Sequence, residues 1–387
     1  MTRFHTLRGR ALFFLCLAWF LWFMNFVSRT MFAPILPLIE DEFGVTHAAA
    51  SAIFTCTSFG FGLSLFFSGL SARILGFRKA VAVSLGVGAV VSSLVSLIGI
   101  FELFYVLGFV LGVAVGMYLP SMLSLLTDYY DEKIWGRVIA MHDSGASIAM
   151  TAAPFIALFF VSFLPWRAIF IFIGITFALC ALLFHLASHE VAAVGGTKYF
   201  HGSLWKNKTL WTIGTLFIFM GGSSLGLYFV TPLYLVKELS LDVSYANTIF
   251  GISRIGTAIA ALSVGFFVDR FNLKKTLFLV IFVSGILTLA LGLCSVRWIE
   301  VVLFAQATLA VWFFPVAFLT IARIFDRESR GQAIGLAVTL NVVFGSGVIP
   351  YFLGLSGDLV GFRFGICLLG ILATLASGLV YFLKELK

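Results

Sequence analysis

The chain has 387 residues, 61% of them hydrophobic and 11% charged, with a net charge of +8 and a mean hydropathy of +1.09. Soluble domains carry about 25% charged residues and need a polar skin at this size, so the composition excludes a soluble fold and makes the bilayer the solvent for most of the chain. Five cysteines (Cys16, Cys56, Cys180, Cys294 and Cys367) lie far apart in apolar runs without CxxC or metal-ligand spacing; they read as small buried hydrophobes, and no metal or other cofactor is expected.

The basic segment Met1–Arg10 opens the sequence, and the apolar run from Ala11 exceeds a signal-peptide core of about 7–15 residues without a small-residue cleavage site, so it is predicted to stay as the first helix. A run of about 20 apolar residues crosses a bilayer as a helix. Twelve are predicted, over residues 11–37, 49–72, 80–99, 102–127, 137–163, 167–188, 209–236, 244–268, 276–295, 298–322, 332–356 and 362–383. Pro34 and Pro37 near the end of the first helix and Pro232 near the end of the seventh are expected either to terminate these helices or to let an outer gate flex. The longest linker, 189–208, is polar, with Lys198, Lys206 and Lys208, and divides the chain into bundles over 1–188 and 209–387.

With the N-terminus placed in the cytoplasm, nineteen Lys and Arg residues fall in cytoplasmic segments and four (Arg167, Lys237, Arg297 and Arg363) on the opposite side. This satisfies the positive-inside rule. It predicts a multi-pass protein of the cytoplasmic (inner) membrane with both termini inside, and it accounts for the basic balance without nucleic acid.

The halves repeat. Met24 and Met220, Ile53-Phe54 and Ile249-Phe250, and Gly69 and Gly265 are each 196 residues apart, and Gly136 and Gly331 are 195 apart. A constant offset near half the length implies two homologous six-helix bundles.

The loop after the predicted eighth helix runs from Gly265 through Asp269-Arg270 to Lys274-Lys275; after the second helix the chain runs from Gly69 through Arg73 and Gly76 to Arg78-Lys79. These loops resemble the Gly-x-x-x-Asp-Arg-x-Gly-[Arg/Lys]-Arg signature of the major facilitator superfamily, with Arg73 in the aspartate position of the first copy and Asn272 for the later glycine of the second. The resemblance covers essentially the whole chain. It implies an all-α membrane protein of twelve transmembrane helices in two pseudo-symmetric six-helix bundles. It implies a conformational gate at Gly69, Arg73, Gly76, Arg78, Gly265, Asp269 and Arg270. It also implies that helices 1, 2, 4, 5, 7, 8, 10 and 11 line a central cavity while 3, 6, 9 and 12, whose middles are almost free of polar groups, face lipid. The drug-antiporter branch carries a glycine-rich Gly-Pro signature in helix 5; here Gly145 to Pro154 keeps the proline but has alanine for most of the glycines.

Ionisable residues at bilayer depth cost about 2.5–3.5 kcal/mol each on insertion scales and face a bundle interior. Arg29 lies four residues after Asn25, on one helix face. Arg254 lies about ten residues, or roughly 15 Å, from the outer end of helix 8. Guanidinium keeps its proton and holds carboxylate or phosphate through a two-pronged fork, so one arginine per half suggests an anion site; the alternatives are a structural pair or snorkelling. This arrangement resembles the organic-anion and organophosphate branches of the superfamily. Asp143, the acid clear of a helix end, and His142 are candidates for proton coupling, or else a polar pair bonded to the cytoplasmic loops. Tyr118, Tyr228, Thr231, Tyr234, Trp312 and Asn341 are candidate lining groups or helix packing.

The expectation is a transporter of a small organic anion working by alternating access, with proton symport or anion exchange, as a monomer. The alternatives are a drug/proton antiporter or neutral-solute carrier, and a transporter-like sensor. No HExxH or nucleophile–base pattern suggests an enzyme.

Overall fold

The computed structural model describes residues 4–189, 206–268 and 272–386. Most of the linker predicted at 189–208, and the gate residues Asp269 and Arg270, lie outside them. Eleven helices among the described residues are long and apolar enough to cross a membrane: α1 (Arg10–Phe43), α2 (His47–Phe66), α3 (Phe77–Val95), α4 (Leu103–Tyr129), α5 (Glu132–Val161), α6 (Arg167–Ala187), α7 (Lys208–Glu238), α9 (Leu273–Leu293), α10 (Val296–Ile324), α11 (Ser329–Leu359) and α12 (Phe362–Phe382). Between them α8 (Val243–Val268) runs for 26 residues, completing the twelve expected. Helix is the form in which each peptide group bonds within its own segment, as a bilayer demands.

These prolines do not terminate α1 and α7. Pro37 lies inside a helix that continues to Phe43, and the interruption falls at Met31, next to Thr30, the carbonyl that the ring of Pro34 deprives of its donor. In α7, Pro232 lies between two π-helical turns, Gly222–Gly226 and Tyr234–Glu238, and the helix runs on to Glu238. The longer α1 carries Glu40 and Asp41 in its last turn. The turn into α2 is made by Gly44 at φ 61°, whose N–H bonds the Glu40 carbonyl at 2.9 Å; only glycine takes this backbone cheaply.

The described residues form two compact units, one of residues 1–32 and 56–197, the other of 33–55 and 198–387. Helix pairings recur with the repeat. In the first unit α1 packs on α5, and α3 on α4 and α6; in the second α7 packs on α11, and α9 on α10 and α12. The matched residues behave alike: Met24 and Met220 are buried, as are Phe54 and Phe250. The outer faces of α6 and α12 present Ile175, Leu179 and Leu182, and Leu368, Ile371 and Leu375, as a lipid-facing surface requires. All five cysteines are unpaired; Cys180 is buried, whereas Cys16, expected inside, is exposed.

Helices α2 and α4 touch through glycine. A Cβ on Gly112 would lie 2.0 Å from the Thr57 carbonyl oxygen, and one on Gly60 would lie 2.1 Å from that of Phe109. Small residues spaced by four let membrane helices approach backbone to backbone. Gly112→Ala must therefore separate the helices, and overpacking of this kind costs about 1–3 kcal/mol. The detergent-purified variant is expected to melt several degrees below wild type, whereas Gly86→Ala, at a position with open space around it, is expected to melt with wild type.

Candidate functional site

Each unit holds one buried arginine. Arg29, on α1, is 8% exposed. Its guanidinium carbon lies 3.9 Å from the centre of the Phe26 ring and 4.4 Å from that of Phe61 on α2. Among the described residues it makes no ion pair, and its buried Nε has no hydrogen-bond partner. Phe26 and Phe61 engage the guanidinium through π faces, which attract a cation without taking up its N–H donors. One turn back, Asn25 donates through Nδ2 to the Val115 carbonyl of α4 at 3.0 Å, while its buried Oδ1 accepts nothing.

Val115 is one turn from Tyr118, whose hydroxyl donates to the Ala18 carbonyl at 2.9 Å and sits 3.3 Å from His142 Nε2. The Trp22 indole stacks on both rings, with centroids 5.6 Å from Tyr118 and 5.5 Å from His142. His142 is 0% exposed, and among the described residues its Nδ1 has no partner. Asp143, one residue on, is exposed, because successive helical side chains diverge by about 100°. The structure thus brings Asn25, Tyr118 and His142 into one α1–α4–α5 cluster, and Asp143 meets that cluster through the Trp22 side chain.

In the second unit Arg254, on α8, is 3% exposed, with its guanidinium carbon 4.9 Å from the Tyr228 ring centre and 5.0 Å from that of Phe250. Tyr228 therefore joins Arg254. The other candidates do not: Tyr234 donates to the Leu291 carbonyl of α9 at 3.1 Å, Thr231 to the Leu227 carbonyl of its own helix at 2.6 Å, and Trp312 packs with the hydrophobic core around Phe313. Asn341 lies against Gly221 so closely that a Cβ there would meet its Oδ1 at 1.6 Å.

Three neighbours escape a reading from sequence. Asn247 donates to the Pro34 carbonyl at 3.1 Å. Buried Gln306 on α10 donates to the Ser223 carbonyl in the π turn of α7 at 2.7 Å and to the Thr288 hydroxyl at 3.1 Å. Trp22 supplies the stacking plane above. The signal was available for the amides: a lone Asn or Gln in an apolar run needs a partner.

Of the gate candidates, Arg78 bonds Ser188 Oγ at 3.0 Å and the His185 carbonyl at 2.8 Å, capping the end of α6. Lys274, 196 residues on, caps α12 through the Leu383 carbonyl at 3.0 Å. Cations there oppose the negative end of a helix dipole. Gly76 turns the chain into α3 at φ 77°, Arg73 is exposed on the short helix Ser68–Leu75, Gly69 lies in that helix and Gly265 in α8.

A model of the Major Facilitator Superfamily matches residues 18–305 and 227–387. The chain belongs to that superfamily, a family of membrane transporters. A multidrug resistance protein, MdtL, of Shewanella oneidensis is 23% identical over 67% of this chain and 66% of its own length, so the match spans just under two thirds of that relative. A putative niacin/nicotinamide transporter, NiaP, of Bacillus subtilis is 22% identical over 49% of this chain and 48% of its own. The major facilitator fold is shared with a bacterial homolog of the human lysosomal transporter Spinster (TM-score 0.78, 14% identity, 98% of each chain). It is shared too with a D-xylose-proton symporter (0.78, 14%, 98% of each).

Removing the Tyr118 hydroxyl tests the α1–α4–α5 cluster. Tyr118→Phe is expected to destabilise the superfamily fold by about 1 kcal/mol, the net value of a buried hydrogen bond, read as a small fall in melting temperature. Tyr118→Ala, which also removes the ring between Trp22 and His142, should cost about 3–5 kcal/mol.

Proposed function

We propose that the protein is a secondary transporter of the cytoplasmic membrane, with both termini inside, that moves a small organic anion by alternating access. The observation that carries this reading is Arg29: a buried guanidinium on a membrane-spanning helix that, among the described residues, holds two aromatic rings and no carboxylate. Such a charge is costly in a bilayer, and a substrate carboxylate or phosphate ester would supply the missing counter-ion through a charge-assisted bond. Arg254, beside Tyr228, is assigned the same task in the second half. The aromatic walls suit a ligand with an apolar or aromatic body, and niacin, a name borne by one relative, is a small aromatic carboxylate.

Asn25, Tyr118, Tyr228, Tyr234, Trp312 and Asn341 are proposed to shape the binding region. Asp143 and His142 are proposed to carry protons where uptake is proton-coupled, and the basic loops from Gly69 to Arg78 and from Gly265 to Arg270 to gate the cytoplasmic end. A drug carrier is the second reading, favoured by the longer match to the multidrug relative.

A thermal-shift screen of purified protein separates the two. A ligand that binds only the folded state raises the melting temperature by mass action. Mono- and dicarboxylates and phosphate esters should stabilise wild type but not Arg254→Ala or Arg29→Ala. Stabilisation by cationic drugs alone, unchanged in both variants, would establish the drug reading instead. In liposomes Asp143→Asn should spare anion exchange and impair uptake driven by a proton gradient; equal loss of both would remove Asp143 from coupling.

A further inference from the structure

The second unit carries a cluster of charges that the anion site does not use. It gathers where α1 ends, α2 begins, α7 and α11 end and α12 begins. Glu40 is 6% exposed. One carboxylate oxygen lies 2.7 Å from His47 Nδ1 and the other 3.4 Å from Lys237 Nζ. Lys237 also bonds Asp41, which is largely exposed. Asp358 of α11 accepts from the backbone N–H groups of His47 and Ala48 at 2.8 and 2.9 Å, capping α2. Glu238 accepts from the N–H groups of Phe362 and Arg363, capping α12, and lies 3.8 Å from Arg363 Nε. The His47 ring packs on Phe362, with centroids 4.8 Å apart.

The charged groups facing one another here are Glu40, Asp41, Glu238 and Asp358 against Lys237, Arg363 and, when protonated, His47. Asp358 and Glu238 are satisfied by helix N-termini, where the dipole favours an anion. Among the described residues, the side-chain partners of Glu40 are Lys237 and His47. Between about pH 5 and pH 8 imidazole is the side chain whose charge ordinarily changes. With a proton on His47, both oxygens of Glu40 meet cations. Without it, the contact at 2.7 Å joins a neutral imidazole to the carboxylate and loses the attraction between opposite charges, and a buried carboxylate keeps one cation.

We infer that Glu40, His47 and Lys237 form a proton-binding clasp, in which a proton on His47 ties the α1–α2 turn to α7 and its loss loosens that turn. The ligand is the proton itself, taken up at the membrane face opposite the N-terminus, and the site is separate from His142 and Asp143. It rests on the geometry of one compact unit and stands whichever substrate is carried.

The test is hydrogen–deuterium exchange of the full-length protein in lipid nanodiscs at about pH 5.5 and about pH 8.5, values on either side of the histidine range, with intrinsic chemical rates divided out. Peptides covering the α1–α2 turn should exchange roughly two- to fivefold faster at the alkaline pH, the range of one partly exposed ion pair, while α9 stays unchanged. His47→Gln should exchange at the alkaline wild-type rate at both values. Lys237→Met, which leaves Glu40 with His47 alone, should keep the pH response and enlarge it. No pH response in the wild-type turn, a response shared equally by α9, a wild-type response retained in His47→Gln, or its loss in Lys237→Met would each overturn the clasp. Wild type and Lys237→Met decide the matter if His47→Gln does not fold.

Discussion

A peptide group in hydrocarbon finds no water, and leaving its N–H or carbonyl unpaired is costly enough to forbid irregular backbone against lipid. The interruptions of helix therefore carry most of the information in this molecule. Where Pro34 removes a donor, the helix breaks at Met31 and resumes at once, and Asn247 donates to the Pro34 carbonyl. Where α7 widens into a π turn, Gln306 donates to the Ser223 carbonyl released there. π-helical turns concentrate at functional sites because the extra residue re-aims side chains. The turn over Gly222–Gly226 faces another over Asn341–Val348 of α11 across glycine contacts, with Gly226 against the Gly345 carbonyl.

The same absence of water makes every buried charge a question. At the helix ends the answers are local. Arg78 and Lys274 cap α6 and α12, and their 196-residue spacing makes the two caps one device used twice. Asp358 and Glu238 cap α2 and α12 from the acidic side. Arg29 has no such answer, since two rings satisfy its faces and leave its donors. The distinction between charges that close a helix and a charge held by rings alone is what motivates the site proposed at Arg29.

Much of this was legible in the sequence. Apolar runs give the helices because a bilayer fixes their length, and the 196-residue offset foretells that α1–α5 and α3–α6 pairings reappear as α7–α11 and α9–α12. Arg29 and Arg254 stand out for the same reason, as rare charges in apolar runs. What stayed hidden depends on tertiary contacts. Reading Pro34 and Pro37 as a stop put Glu40 and Asp41 in a loop, whereas the helix runs through Pro37 to Phe43. Arg78 looks like part of a signature until its partners, Ser188 and His185, are seen at the far end of the half. Tyr234 and Trp312 have the residue types of a binding wall, and only the fold shows what else holds them, the Leu291 carbonyl for Tyr234 and the core around Phe313 for Trp312.

The His142 cluster shows how far a titratable side chain can depart from its sequence neighbourhood. Next to Asp143 in the chain, it reads as one half of a charged pair. In the fold the two point in different directions and meet through Trp22, which stacks on His142 and reaches Asp143, while His142 itself touches the Tyr118 hydroxyl. His47, which no pattern singles out, sits 2.7 Å from a buried carboxylate seven residues back. A charged imidazolium has a counter-ion at His47 and none at His142, and that counter-ion exists because α1 runs past its prolines to Phe43. The backbone constraint that lengthens α1 is thus also what places Glu40 beside His47 and Lys237.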